Sequence, residues 1–214
     1  AGIPIVFLTA LYGLDRLAKL SAGQSILIHA AAGGLGLAAV QLAMGAGAKV
    51  FATAGSPEKR EFLKQLGVEH VFDSRSLAFR DQVLAATDGR GVDVVLNSLA
   101  GDFIGASFEV TATGGCFLEV GKRGIWSAEE VAALGKGIRY FPFDLGDVAM
   151  KDSKVIAGTL RELMDRFATG ELQPLPTSLY PFENSTDAFR TMAQARHIGK
   201  IVLGVSGREA QNNI

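Results

Sequence analysis

Leu8, Leu11, Leu14 and Leu17 recur at intervals of three near the start of the chain, the spacing of an apolar helix face, and the pattern stops at Ser21-Ala22-Gly23. A leading helix over residues 5–19 is expected, in a segment 1–21 that precedes the main domain. From residue 22 onward, apolar runs of strand length alternate with helix-like patterns. Strands are expected at 25–29, 49–54, 70–72, 92–97, 115–120 and 137–143, with helices between them at 34–45, 57–66, 77–87, 103–111 and 128–134. Pro57 stands in the first turn of one such helix and Gly67 just past its end. Runs such as Val92-Asp93-Val94-Val95-Leu96 are almost continuously apolar, which suits parallel strands covered by helices on both faces. The fold class expected for residues 22–152 is α/β, with a doubly wound, six-stranded parallel sheet.

The pattern changes after Asp152. A long helix is expected at about 154–168, closing at Gly170, followed by the two prolines of Leu172-Gln173-Pro174-Leu175-Pro176. A strand near 177–180, a helix near 185–195 and a strand at 200–205 come next. These are too few elements to make a domain alone, so residues 153–206 read as a long helix and a return segment that completes another domain. Residues 207–214 are polar and unpatterned and are expected to form a disordered tail. The whole reads as part of a longer polypeptide.

Composition narrows the function classes. With 21 basic and 22 acidic residues the formal net charge is −1, so no long-range field favours nucleic acid or an anionic membrane. A single cysteine, Cys116, allows no internal disulfide, and with only three histidines no zinc-ligand spacing can be assembled, so a metal-free cytoplasmic protein is expected. Residues 26–44 are apolar enough to suggest a membrane span, but His29, Gln41 and the Gly33-Gly34-Leu35-Gly36 break argue for strand, turn and helix instead. The first residues lack the basic start and cleavage site of a signal peptide. The 26 glycines among 214 residues exceed the usual ~7% without any period, so they serve turns and close backbone approaches.

The densest such stretch runs from Ser25 through Ala43 and has the strand, small-residue turn and helix that a Rossmann-type pyrophosphate site requires. In the G-x-G-x-x-G register, Ala31 replaces the first glycine, Gly33 permits backbone approach, and Gly36 lets the helix approach the sheet. Gly34 and Leu35 open that helix, whose unpaired N–H groups and positive dipole end would face the phosphates. About 20 residues on, an acid would bind the 2′-hydroxyl of NAD. None is present: Thr53-Ala54-Gly55-Ser56 occupies that place, and Ser56, Lys59 and Arg60 offer a hydroxyl and two cations suited to a 2′-phosphate. The cofactor expected is NADPH rather than NADH, with solvated helix charges as the alternative reading of the two cations.

With these residues the chain resembles the medium-chain reductases and, more narrowly, the enoyl reductase domains of modular polyketide and fatty acid synthases. The resemblance spans nearly the whole chain and rests on Phe7-Leu8-Thr9-Ala10-Leu11-Tyr12-Gly13-Leu14, on residues 30–43, on Val92 through Gly101, on Phe117-Leu118-Glu119-Val120-Gly121-Lys122 and on Gln194 through Leu203. It implies that the C-terminal strand-helix-strand returns to a GroES-like substrate domain, which is missing here. Cofactor binding with poor turnover is therefore expected of this stretch alone. It also implies Thr9 near the nicotinamide, Asn97 and Ser98 beside its ribose with Leu99 as a further contact, Gly121 beneath the ring, and Lys200 at the return segment. Each has a plainer alternative as a capping, strand-ending or edge residue.

Reducing an enoyl thioester puts hydride on the β-carbon and negative charge on the thioester oxygen, which calls for a cation or donor there and a proton for the α-carbon. Lys122 directly follows the expected fifth strand and Asp144 the sixth, at the carboxyl ends of neighbouring strands where open α/β sheets bind ligands. The resemblance implies the same pair, Lys122 as proton donor or enolate stabiliser and Asp144 as its partner. The plainer alternative is a solvated lysine and an aspartate opening a turn. The implied partners are an enoyl thioester on an acyl carrier protein, neighbouring synthase domains and a homodimer through the 137–143 edge. A freestanding NADPH-dependent quinone or enone reductase, or a non-catalytic nucleotide-binding fragment, would share much of this pattern.

Overall fold

A computed structural model describes residues 2–205, so the expected tail at 207–214 lies outside the described residues. Six strands form one sheet: β1 (Ser25–Ile28), β2 (Lys49–Ala54), β3 (His70–Asp73), β4 (Val92–Asn97), β5 (Thr111–Glu119) and β6 (Arg139–Pro142). All pair in parallel, in the order β3-β2-β1-β4-β5-β6. The order in which strands are added reverses between β1 and β4, where sheets of this kind open a crevice for ligands.

Side-chain alternation explains the cover on both faces. In β1, Ile26 and Ile28 point to one face and Leu27 to the other, and all three are fully buried. The first face is closed by α1 (Pro4–Leu11), α2 (Gly34–Gly45), α3 (Pro57–Gln65) and α8 (Ser153–Ala168), which deliver Phe7, Leu37, Leu63 and Leu163. The second is closed by α4 (Phe79–Ala85), α5 (Asp102–Glu109) and α6 (Ala128–Ala133), which deliver Val83, Ile104, Phe108 and Val131. Phe108 stacks on Phe117 of β5 at 4.0 Å, and Phe7 meets Phe167 of α8 edge-on at 4.9 Å. Each such buried side chain contributes about 2 kcal/mol. The helix α8 therefore belongs to the layer over the sheet, not to the return segment with which its position in the chain grouped it.

Other boundaries differ from expectation for local reasons. The leading helix is α1 followed by a π-helical stretch, Tyr12–Ala18, that ends at Lys19 in the left-handed region (φ 57°). Strand β5 begins four residues earlier than its apolar run suggests. A register shift between Val92/Thr111 and Val94/Cys116 inserts Gly114 (φ 72°) and Gly115, so Thr111 is strand and α5 stops at Glu109. The helix α7 (Leu145–Lys151) has no buried residue and hence no apolar periodicity to announce it.

In the return segment, β7 (Thr177–Pro181) pairs in parallel with β8 (Lys200–Gly204) across α9 (Ser185–Ala193). It docks on the glycine loop: the Gly199 N–H donates to the Ala32 carbonyl at 2.9 Å, and Gly33 and Gly199 form a bridge.

Candidate functional site

Strand β1 delivers the chain into a turn over Ala30–Gly33. The left-handed residue is Ala30 (φ 49°), not Ala31, which is fully buried and whose N–H donates to the Thr53 carbonyl at 2.9 Å. The strain of the turn therefore falls one residue earlier than the register implies. Gly33 is extended, begins α2 and offers no side-chain cap, so the first N–H groups of that helix point outward without intrahelical partners. A Cβ at Gly36 would sit 2.6 Å from the Ala30 carbonyl oxygen and collide with the Ala31 backbone, so the close helix–strand contact requires glycine. Over this loop lies Lys200, whose Cδ is 2.6 Å from where a Cβ of Gly34 would be. The glycine loop, with its open N–H groups, fits a dinucleotide pyrophosphate.

At the carboxyl end of β2, Ser56 caps α3 by accepting the Lys59 N–H at 3.4 Å. Lys59 Nζ donates to the Ala195 carbonyl at 2.7 Å, tying α3 to the return segment. Burial holds the Lys59 ammonium below the usual lysine range, and the charge of Arg75 adds to the effect. Arg60 is committed elsewhere, donating to the Ala54 carbonyl at 3.1 Å and facing Asp73 at 3.5 Å. Arg75 lies at the same strand end: its Nε is 3.1 Å from where a Cβ of Gly55 would be, and its guanidinium has no ion pair among the described residues. The legible signal for Arg75 was its place just after β3, the strand next to β2 in the sheet.

At the other strands, Lys122 Nζ and Asp144 Oδ2 pair at 2.5 Å. Asp144 also caps α7 by accepting the Gly146 N–H at 2.7 Å, so the turn-opening role and the lysine-partner role coexist. The pair reinforces its own charges: Asp144 holds Lys122 above the usual lysine range, and Lys122 followed by the Gly146 N–H holds Asp144 below the usual carboxylate range. Two open clefts of about 500 Å³ each meet at Phe143 and Asp144. One has Gly121, Lys122 and Ile125 on its wall; the other, mostly apolar, gathers Thr9, Leu35, Ser98, Val120 and Leu145. The Thr9 hydroxyl donates to the Ile5 carbonyl at 2.7 Å, within its helix.

Asn97, which the resemblance places beside the ribose, is fully buried at 0% exposure. Its amide donates to Glu119 Oε2 at 2.6 Å and to the Leu99 carbonyl at 3.0 Å, and its carbonyl accepts the Leu99 N–H at 3.2 Å. It supports the loop from beneath, and it is Ser98 that reaches the cleft. Glu119 is a functional candidate that pattern reading passed over, because a carboxylate inside the apolar run Phe117–Val120 carries no spacing signal.

Among the described residues, no group of three or more His, Cys, Asp or Glu side chains comes together. His29 lies buried between Thr53 Oγ1 (2.9 Å) and Ser107 Oγ (2.8 Å), and burial lowers its pKa to about 3. Both His29 ring nitrogens are therefore taken up by hydroxyls, and burial raises the Cys116 thiol to about 11. No described helix is long and apolar enough to cross a membrane.

Residues 66–203 match the family model described as zinc-binding dehydrogenase. The chain is 48% identical over 205 residues to the phenolphthiocerol synthesis polyketide synthase type I Pks15/1 of Mycobacterium marinum, a match covering 95% of this chain and 10% of that protein. It thus spans about a tenth of the length of that curated relative. Among solved structures, CurK enoyl reductase is 47% identical with a TM-score of 0.92, the match covering 96% of this chain and 62% of that one. The nucleotide-binding subdomain of the enoylreductase domain of PpsC from Mycobacterium tuberculosis is 42% identical with a TM-score of 0.73, covering 79% of this chain and 96% of that one.

Proposed function

The chain belongs to the zinc-binding dehydrogenase family and within it groups with the enoyl reductase domains of polyketide synthases, and from that premise we propose that it is the cofactor-binding and proton-donating part of an NADPH-dependent enoyl reductase. The substrate in this reading is the 2,3 double bond of an enoyl thioester carried on an acyl carrier protein within a larger synthase. The observation that carries it is the convergence of Leu35 from the glycine loop, Ser98 and Asp144 on one cleft, with Lys122 held to Asp144 at its rim.

NADPH bound here would supply the hydride that reaches the β-carbon. The residues of the chain do the rest. The N–H groups at the start of α2 would hold the pyrophosphate, and Lys59 with Arg75 and Ser56 would face the 2′-phosphate. Lys122, kept charged by Asp144, stabilises the oxygen of the developing enolate and gives a proton to the α-carbon. Asp144 orients that ammonium.

Fluorescence titration of the chain with NADPH and NADH tests the cofactor half. NADPH should bind about tenfold or more tightly than NADH, and the Lys59→Ala/Arg75→Ala variant should lose that preference while keeping its NADH affinity. Equal affinities in the parent would overturn the choice of NADPH, and absence of binding to either would favour a structural fragment.

A further inference from the structure

Glu119 is the one carboxylate among the buried side chains of the described residues, at 1% exposure. A buried carboxylate is costly unless each oxygen is satisfied, and an apolar residue would fill the same space in β5 without that cost. Both oxygens are satisfied, and they reach in different directions. Oε2 accepts from the Asn97 amide at 2.6 Å, at the end of β4, and Oε1 accepts from the Gly121 N–H at 2.6 Å, in the loop that leaves β5.

The two loops so joined form the walls of both clefts. Asn97 holds Leu99 through its N–H and its carbonyl, and this pins Ser98 between two fixed residues. The Val120 N–H donates to the Asn97 carbonyl at 3.0 Å, and the Phe143 N–H to the Glu119 carbonyl at 3.0 Å, so the ends of β4, β5 and β6 are laced at one level. Gly121 precedes Lys122. A Cβ at Gly121 would sit 2.6 Å from Glu119 Oε1, so glycine is required there to admit the carboxylate.

We infer that Glu119 is a positioning residue: with Asn97 and the Gly121 N–H it sets the Ser98 wall of one cleft and the Gly121 wall of the other, which meet at Phe143 and Asp144 where the nicotinamide end of the cofactor is received, while the adenosine end is held independently. The inference rests on the dinucleotide reading above. Its chemistry is specific. Replacing Glu119 by Gln turns one acceptor into a donor, and that donor must face either the Gly121 N–H or the Asn97 amide, neither of which accepts. Asn97→Asp supplies the missing acceptor, so the exchanged pair can rejoin, giving up only the Asn97 donation to the Leu99 carbonyl.

The test compares two ligands on the chain by calorimetric titration: NADPH, which occupies both ends, and adenosine 2′,5′-bisphosphate, which occupies only the adenosine end. Glu119→Gln should weaken NADPH about tenfold while leaving adenosine 2′,5′-bisphosphate within about twofold of the parent. Gly121→Ala, which displaces the same oxygen, should show the same split. The double variant Asn97→Asp/Glu119→Gln should regain most of the lost NADPH affinity. Equal losses for both ligands, no loss for either, or no recovery in the exchanged pair would overturn the positioning role. A parent that binds adenosine 2′,5′-bisphosphate but no more tightly as NADPH would also overturn it, whereas a parent that binds neither ligand would sink the dinucleotide reading itself.

Discussion

The sheet end above β1 and β2 and the end above β4 to β6 are built in opposite ways. At the first, the candidate binding groups are backbone N–H groups of a loop packed so closely that Ala31 is fully buried and Gly36 tolerates no Cβ. At the second, the chemistry rests on long side chains at the rim of open clefts, with the Lys122 side chain 78% exposed and that of Asp144 37%. Backbone donors need no rotamer to be frozen, so the first region is organised before any ligand arrives. Water screens the Lys122–Asp144 pair, so its field strengthens only when something covers the cleft. The adenosine and pyrophosphate part of a dinucleotide can thus be held by a short stretch of chain, while on the proposed reading the nicotinamide end and the chemistry depend on the second end and on what closes over it.

Three measurements would break or sharpen this contrast. The largest effect is expected at the backbone-built end, where Gly36→Ala forces a Cβ against the Ala30 carbonyl and should lower unfolding stability by about 3 kcal/mol in a denaturant melt, with NADPH binding lost alongside. A fully stable variant that still binds would show that the loop is not tightly packed. Lys122→Ala should behave oppositely, leaving stability and NADPH affinity unchanged while slowing single-turnover hydride transfer about 100-fold in a polypeptide that includes a substrate domain. An unchanged transfer rate would remove Lys122 from the chemistry.

The smallest effect concerns acid. His29 lies beneath the first region and is neutral in the folded state, its pKa lowered from 6.5 to about 3 by burial. A lowered folded pKa means that its share of stability is present above pH 6.5 and is lost as the pH falls from there through 3. By pH 4.5 the parent should have lost about 2.7 kcal/mol more than a His29→Gln variant has, read as the gap that opens between their stability-against-pH curves. Parallel slopes would show that the histidine titrates normally and that the floor of the glycine loop is wet.

Most of the architecture was legible from period alone. The strand–turn–helix of the glycine loop is local, and its small residues announce both the turn and the close approach. Lys122 and Asp144 were legible because each follows a strand directly. What escaped did so for want of a pattern: α7 buries nothing, the bulge at Gly114–Gly115 hides the start of β5, and Glu119 interrupts an apolar run without any spacing of its own. Arg60 and Arg75 differ little as sequence. Only the pairing of β2 with β3 shows that Arg60 faces Asp73 while Arg75 lies at Gly55.

The sequence by itself determined the alternation of strands and helices, the glycine loop and the absence of an acid where NAD would need one, because each depends on neighbours within one or two turns of chain. The tertiary structure decided which polar groups are free to act: it buried Asn97 against Glu119, turned Arg60 inward and brought Lys122 to Asp144. Those outcomes depend on strand order and on desolvation, which are set by residues far apart in the chain.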